Sequence, residues 1–147
     1  MEIDRDAPVW AEREIEIGAP IEVVWDVLTR VDDWPRWYAE GESAAIAGPV
    51  APGTTFRMKG RAPGTIKARI ESAEKPHVLA WTGRVLGISA IHVWRLDHSE
   101  GGTRIQTQES MEGFPVRLLR AAMQKKLDSL LETWLRDMKI EAERRAS

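Results

Sequence analysis

The sequence contains no cysteine. That excludes disulfides, thiolate metal sites and cysteine nucleophiles. No apolar stretch approaches the roughly 20 residues that a membrane-spanning helix needs. The opening Met1-Glu2-Ile3-Asp4-Arg5-Asp6 is charged and carries no apolar leader core. A cytoplasmic location without integral membrane contact is therefore expected. Neither charge is in large excess, since 21 basic and 23 acidic residues leave a formal net charge of −2. Binding to nucleic acid, which needs a basic excess on one face, is not expected. Three scattered histidines without His-x-x-x-His spacing give no metal site, and nothing points to a cofactor. Gly83, Gly87, Gly101 and Gly102 read as turn glycines rather than a phosphate-cradling loop. Ser43, Ser72, Ser89 and Ser110 lie in no nucleophile-elbow context.

What is present is tryptophan: seven, against one tyrosine and two phenylalanines. Tryptophan brings a large apolar area and an N–H that wants a partner, and its plainest use is to fill a core. A chain of 147 residues fits one domain, 1–147, and buries about 68–70% of its unfolded surface.

The hydrophobic pattern predicts an ordered series of elements. Val9 to Ile17 alternates with period two, as a strand with one wet face does. Gly18-Ala19-Pro20 breaks it, and Ile21 to Arg30 carries Val23, Val24, Val27 and Leu28 at helical spacing. A second short helix is expected to start at Asp32 or Asp33, either of which can cap it. Strands follow over Glu42–Ala47, Thr54–Gly60, Thr65–Ala73, Val78–Val85, Ile88–Leu96 and Thr103–Met111, separated by Gly- and Pro-containing turns. After Pro115, as far as about Glu143, there is no Gly or Pro. Leu119, Met123, Leu127, Leu130, Trp134 and Met138 recur there at steps of three and four, which predicts one long amphipathic helix. About seven antiparallel strands and a long terminal helix pack most simply with the sheet curled around the helix, an α+β arrangement.

Several segments resemble one family. Ala19 to Leu28, followed by Asp32-Asp33-Trp34-Pro35-Arg36-Trp37, is similar to the opening signature of the START-like, polyketide cyclase/dehydrase superfamily (SRPBCC). Pro76 to Gly83 resembles its middle strand motif, and Ile91 to Leu96 with Gly101 to Gly113 resembles its last hairpin. The resemblance runs from about Trp10 to Met138 and implies a helix-grip fold. It implies less about activity, because the superfamily includes cyclases, lipid and quinone carriers, receptors and co-chaperone domains.

A sheet wrapped on a helix leaves a wedge, and small-molecule sites favour such apolar concavities. Strand parity turns Phe56, Met58, Ile66, Ala68, Leu79, Trp81, Ala90, Trp94, Ile105, Thr107 and Met111 inward. Leu119, Met123, Leu127 and Leu130 face them from the helix, and Trp37 is placed to close one mouth. His92 and Glu109 share the inner face. If Leu96 pairs with Ile105, His92 lies directly opposite Glu109, with Cβ atoms about 4.5–5.5 Å apart. Such a pair could anchor a polar ligand group, act as acid and base, or satisfy itself as a buried structural pair. His77 and His98 fall in expected turns and read as solvated. The basic stretch Arg117, Arg120, Lys125 and Lys126 reads as the solvated back of the long helix, or as a membrane- or partner-facing surface.

The leading expectation is a protein, monomer or homodimer, that binds or carries a small apolar molecule such as a lipid, quinone, terpenoid or aromatic polyketide. One rival is a cyclase/aromatase-like enzyme using His92 and Glu109. The other is a protein-interaction module whose cavity is filled by its own tryptophans. The outer face, with Trp10, Val78 and Val93, shows no clear apolar stripe.

Overall fold

A computed structural model describes residues 1–147. Seven strands form one antiparallel sheet: β1 (Val9–Ile17), β2 (Gly41–Ile46), β3 (Thr55–Gly60), β4 (Thr65–Glu74), β5 (Val78–Val85), β6 (Ile88–Ser99) and β7 (Gly102–Glu112). Their spatial order is β1-β7-β6-β5-β4-β3-β2, a meander in which only β1 is moved to the far edge beside β7. Helix α1 (Ile21–Thr29), a 3-10 turn (Val31–Asp33) and helix α2 (Trp34–Trp37) connect β1 to β2. The chain ends in α3 (Phe114–Leu118) and α4 (Arg120–Ala146). This is the helix-grip arrangement, with a curved sheet closed over the long helix.

The sheet register stacks inward residues into rows across the strands. One row runs Phe56–Ala68–Gly83–Ala90–Met111, and the next runs Ile70–Trp81–His92–Glu109–Ala11. A third holds Leu79, Trp94 and Thr107. The first row is built from small residues at its centre, while the others carry the large aromatics. The sheet face therefore steps from shallow to filled along the strands.

Four expectations change. The terminal helix does not run unbroken from Pro115, because Leu119 leaves the helical region (φ −113, ψ 37) and separates α3 from α4. Asp33 takes the N-cap position of α2 as expected but makes no side-chain capping bond; Asp32 instead accepts the Ile46 N–H at 2.9 Å and ties the connection to β2. Gly83 lies inside β5 rather than in a turn, where it makes part of the small-residue row. His98 lies within β6 and pairs with Thr103, although its side chain is exposed as expected. On the convex face, Ala80 and Val93 form a second small core with Ile3 of the N-terminal segment.

Candidate functional site

The tryptophans fill one part of the wedge and leave the other open. Trp34 is fully buried and donates its indole N–H to the Leu28 carbonyl at 3.0 Å. It meets Phe56 and Trp134 edge-on, with ring centroids 5.4 and 5.0 Å apart, and tilts against Trp81. Contacts of this geometry add about 0.5–1.5 kcal/mol each beyond the area they bury. Trp94 is fully buried against Trp134 and stacks on the His92 ring at 4.7 Å.

Beside this plug lies a cavity of about 380 Å³. Its sheet wall is Phe56, Met58, Ile66, Trp81, Ala90 and Met111, and α4 closes it with Met123, Leu127, Leu130 and Trp134. Trp34 and Tyr38 form its floor on the α2 side. Its outer end reaches the β3–β4 turn (Arg61 to Gly64), Leu86 of the β5–β6 turn, and Lys126. The volume falls at the lower end of the roughly 300–1,000 Å³ typical of small-molecule sites. It suits a compact molecule better than a long acyl chain.

Two linked polar side chains stand in this wall. His92 and Glu109 face each other across β6 and β7, and the His92 Nδ1 and a Glu109 carboxyl oxygen are 3.0 Å apart. The other ring nitrogen, Nε2, lies 2.7 Å from the Thr107 hydroxyl. His92 is 4% exposed and Glu109 is 15% exposed. Burial penalises the charged form of each, pushing Glu109 up to about 8 and His92 down to about 3. At neutral pH the acid form of Glu109 thus donates to Nδ1, and Nε2–H donates to Thr107. The pair holds one proton without separated charge, and the second carboxyl oxygen of Glu109 is free to meet a ligand.

Tyr38 adds another donor. Its ring stacks on Trp134 at 3.7 Å, and burial, then the nearby Glu109 carboxyl, raise its hydroxyl well above the usual phenol range. The hydroxyl therefore stays protonated. Its position is held from below, because buried Asp137 on α4 accepts the neighbouring Ala39 N–H at 2.9 Å.

Among the residues expected to touch a ligand, Phe56, Met58, Trp81, Ala90, His92, Glu109, Met111, Met123 and Leu127 line the cavity. Five do not. Trp37 packs behind it on Tyr38 and Trp134, leaving Trp34 as the floor. Ala68 is buried between Phe56 and Gly83 in the small-residue row without reaching the cavity, and Trp94 belongs to the aromatic plug. Thr107 is fully buried beneath His92, so it supports the site without facing it. Leu119, at the break between α3 and α4, points to solvent. Sequence parity overlooked Trp34, Tyr38 and the turn residues at the outer end. Tyr38 carried one signal, as the chain's lone tyrosine directly after an aromatic helix.

A family model described as polyketide cyclase / dehydrase and lipid transport matches residues 9–143. A Streptomyces cyaneus protein provisionally named a polyketide cyclase is 28% identical over 101 residues, covering 64% of this chain and 66% of that protein. A second, from Streptomyces halstedii and named in the same way, is 49% identical over 35 residues, 24% of this chain and 32% of that one. The chain thus matches about a third and just under two thirds of these relatives' lengths. The crystal structure of the Zhui aromatase/cyclase from a Streptomyces species superposes with a TM-score of 0.82 at 16% identity, covering 94% of this chain and 95% of that one. At that identity the likeness speaks for the fold.

Proposed function

The chain belongs to the polyketide cyclase / dehydrase and lipid transport family, and from that footing we propose that its cavity holds a compact, largely apolar polyketide-type molecule. The acid proton of Glu109 is committed to the His92 Nδ1, so its second carboxyl oxygen accepts a hydrogen bond from a hydroxyl of that molecule. The observation that carries this reading is a buried carboxyl set in a largely apolar wall, one oxygen engaged by the His92 Nδ1 and the other free, with the His92 Nε2 held by Thr107. A polar group so placed fixes orientation, while the aromatic walls supply most of the binding energy.

Trp34, Trp81 and Trp134 in the wall make indole fluorescence a direct readout. Titration with a hydroxynaphthyl ketone is expected to quench and saturate, whereas a long saturated fatty acid is expected to leave the emission unchanged. Glu109→Leu should weaken the ketone about tenfold, the worth of one buried hydrogen bond. Saturable binding of the fatty acid alone would sink the proposal.

A second reading is favoured by the Glu109–His92–Thr107 chain, which can release and regain a proton inside a largely apolar cavity. In the dehydration of a β-hydroxy ketone, Glu109 protonates the departing hydroxyl, which leaves as water. The proton lost from the adjacent carbon returns to the His92–Glu109 pair as the double bond forms. Positioned proton transfer of this kind contributes about 10²–10⁴-fold. A turnover assay on such a ketone separates the two readings, since Glu109→Gln keeps an acceptor oxygen for binding but has no acidic proton to give.

A further inference from the structure

Most of the large apolar side chains that the fold leaves exposed gather at the outer end of the cavity. Leu86, Phe114, Leu118 and Leu119 are each between 55% and 74% exposed, and only Met1 and Ile140 elsewhere are comparable. They come from separate elements that touch. A Cβ on Gly64 of the β3–β4 turn would meet Val85 and Leu86, and one on Gly87 would lie 3.7 Å from Pro115 of α3. These turns therefore form one continuous rim. Leu86 adopts φ 45, a left-handed conformation unusual for leucine, at the tip of its hairpin. The cavity wall continues into the rim through Arg61 to Gly64, Leu86, Met123 and Lys126.

The same rim is basic in a chain whose net charge is −2. From Gly113 to Leu127 there are four cations, Arg117, Arg120, Lys125 and Lys126, and no carboxylate. From Arg57 to Arg69 there are five cations and again no carboxylate, with Arg61 at the hairpin tip. Glu112 pairs with Arg117 at 2.7 Å, Arg69 lies 3.7 Å from Glu71, Arg120 donates to the Pro8 carbonyl, and Glu40 reaches the cavity; Lys59, Arg61, Lys125 and Lys126 have no ion-pair partner.

We propose that this rim docks on a bilayer surface containing anionic lipid, with Leu86, Phe114, Leu118 and Leu119 entering the headgroup layer and the cations meeting lipid phosphates. Apolar tips ringed by lysine and arginine are the composition of interfacial membrane contacts, whose strength combines buried apolar area with attraction to anionic lipid. A cavity opening among those tips can exchange an apolar molecule with the acyl layer without passing it through water. The docking does not depend on which molecule the cavity holds.

Sedimentation with vesicles tests it without any ligand. The full chain is expected to pellet with vesicles of phosphatidylcholine and phosphatidylglycerol in equal parts, and to remain soluble with phosphatidylcholine alone. Binding should fall steeply with added salt. Arg120→Gln and Lys125→Gln should each weaken it about fivefold. Phe114→Ser with Leu118→Ser, and Leu86→Ser on a separate element, should each weaken it at least about tenfold while far-ultraviolet circular dichroism stays unchanged. Failure to pellet with the anionic vesicles overturns the proposal. Salt-sensitive binding that ignores the apolar substitutions also overturns it, because a purely electrostatic contact is what an acidic protein surface would make.

Discussion

At the scale of single residues, His92 and Glu109 tie stability to pH in a way that neither would alone. Between the unfolded values of about 4.5 for Glu109 and 6.5 for His92, the folded state carries one proton on Glu109 and the unfolded state one on the histidine. The proton counts match, so the pair contributes no slope there. Between pH 6.5 and about 8 the folded state keeps its proton while the unfolded chain has none. Stability then falls by about 1.4 kcal/mol per pH unit from this source. Below about 4.5 the unfolded chain takes up the second proton first, and stability falls again toward acid. Urea unfolding at closely spaced pH values should show the plateau and the alkaline decline, and Glu109→Gln should remove the alkaline decline. A decline of equal slope in that variant would place the proton elsewhere.

At the scale of elements, α4 shows how packing selects among residues of similar periodicity. Leu127, Leu131, Trp134, Leu135 and Met138 are buried against the sheet and α1, whereas Leu130 faces the cavity and Ile140 is 62% exposed. Leu131→Ala is expected to cost about 2–5 kcal/mol, the range for a fully buried leucine. Ile140→Ala, on the same helix, should stay within about 0.5 kcal/mol. Denaturant midpoints of the two variants check this directly. The helix is also pinned at its end, where Glu143 accepts the Gly18 N–H at 2.7 Å and pairs with Lys139 at 2.6 Å. The break at Leu119 is the complementary case. It turns α3 away from the core and leaves Phe114, Leu118 and Leu119 on the rim.

At the scale of the whole molecule, the fold is a packed aromatic plug beside an open cavity. A ligand that enters the cavity binds only the folded state, so occupancy must raise the unfolding temperature. At a free concentration of about 100 times its dissociation constant, a ligand adds about 2.7 kcal/mol. For a chain of this length that corresponds to a rise on the order of 5–10 °C. Differential scanning fluorimetry with the hydroxynaphthyl ketone measures it. Ala90→Phe, which places a ring at the centre of the small-residue row, should abolish the rise while leaving the ligand-free protein folded.

The amino-acid sequence by itself determined the order of the elements and the inward face of each strand, and put His92 and Glu109 on one face; the structure set the register that pairs them. The former follow from local rules: a period of two in strands, 3.6 in helices, and short turns between them. The family resemblance was legible for the same reason, since it rides on those patterned segments. Only the tertiary structure decided which inward residues meet empty space. Trp94 and Ala90 have the same parity, yet one fills the wedge and the other borders the cavity, because ring orientation and the approach of α4 are set by all neighbours together. The same applies to Leu119, whose helical spacing placed it inside while the backbone break placed it on the rim. Protonation was likewise beyond the sequence, because the acid form of Glu109 depends on how far the surrounding side chains exclude water.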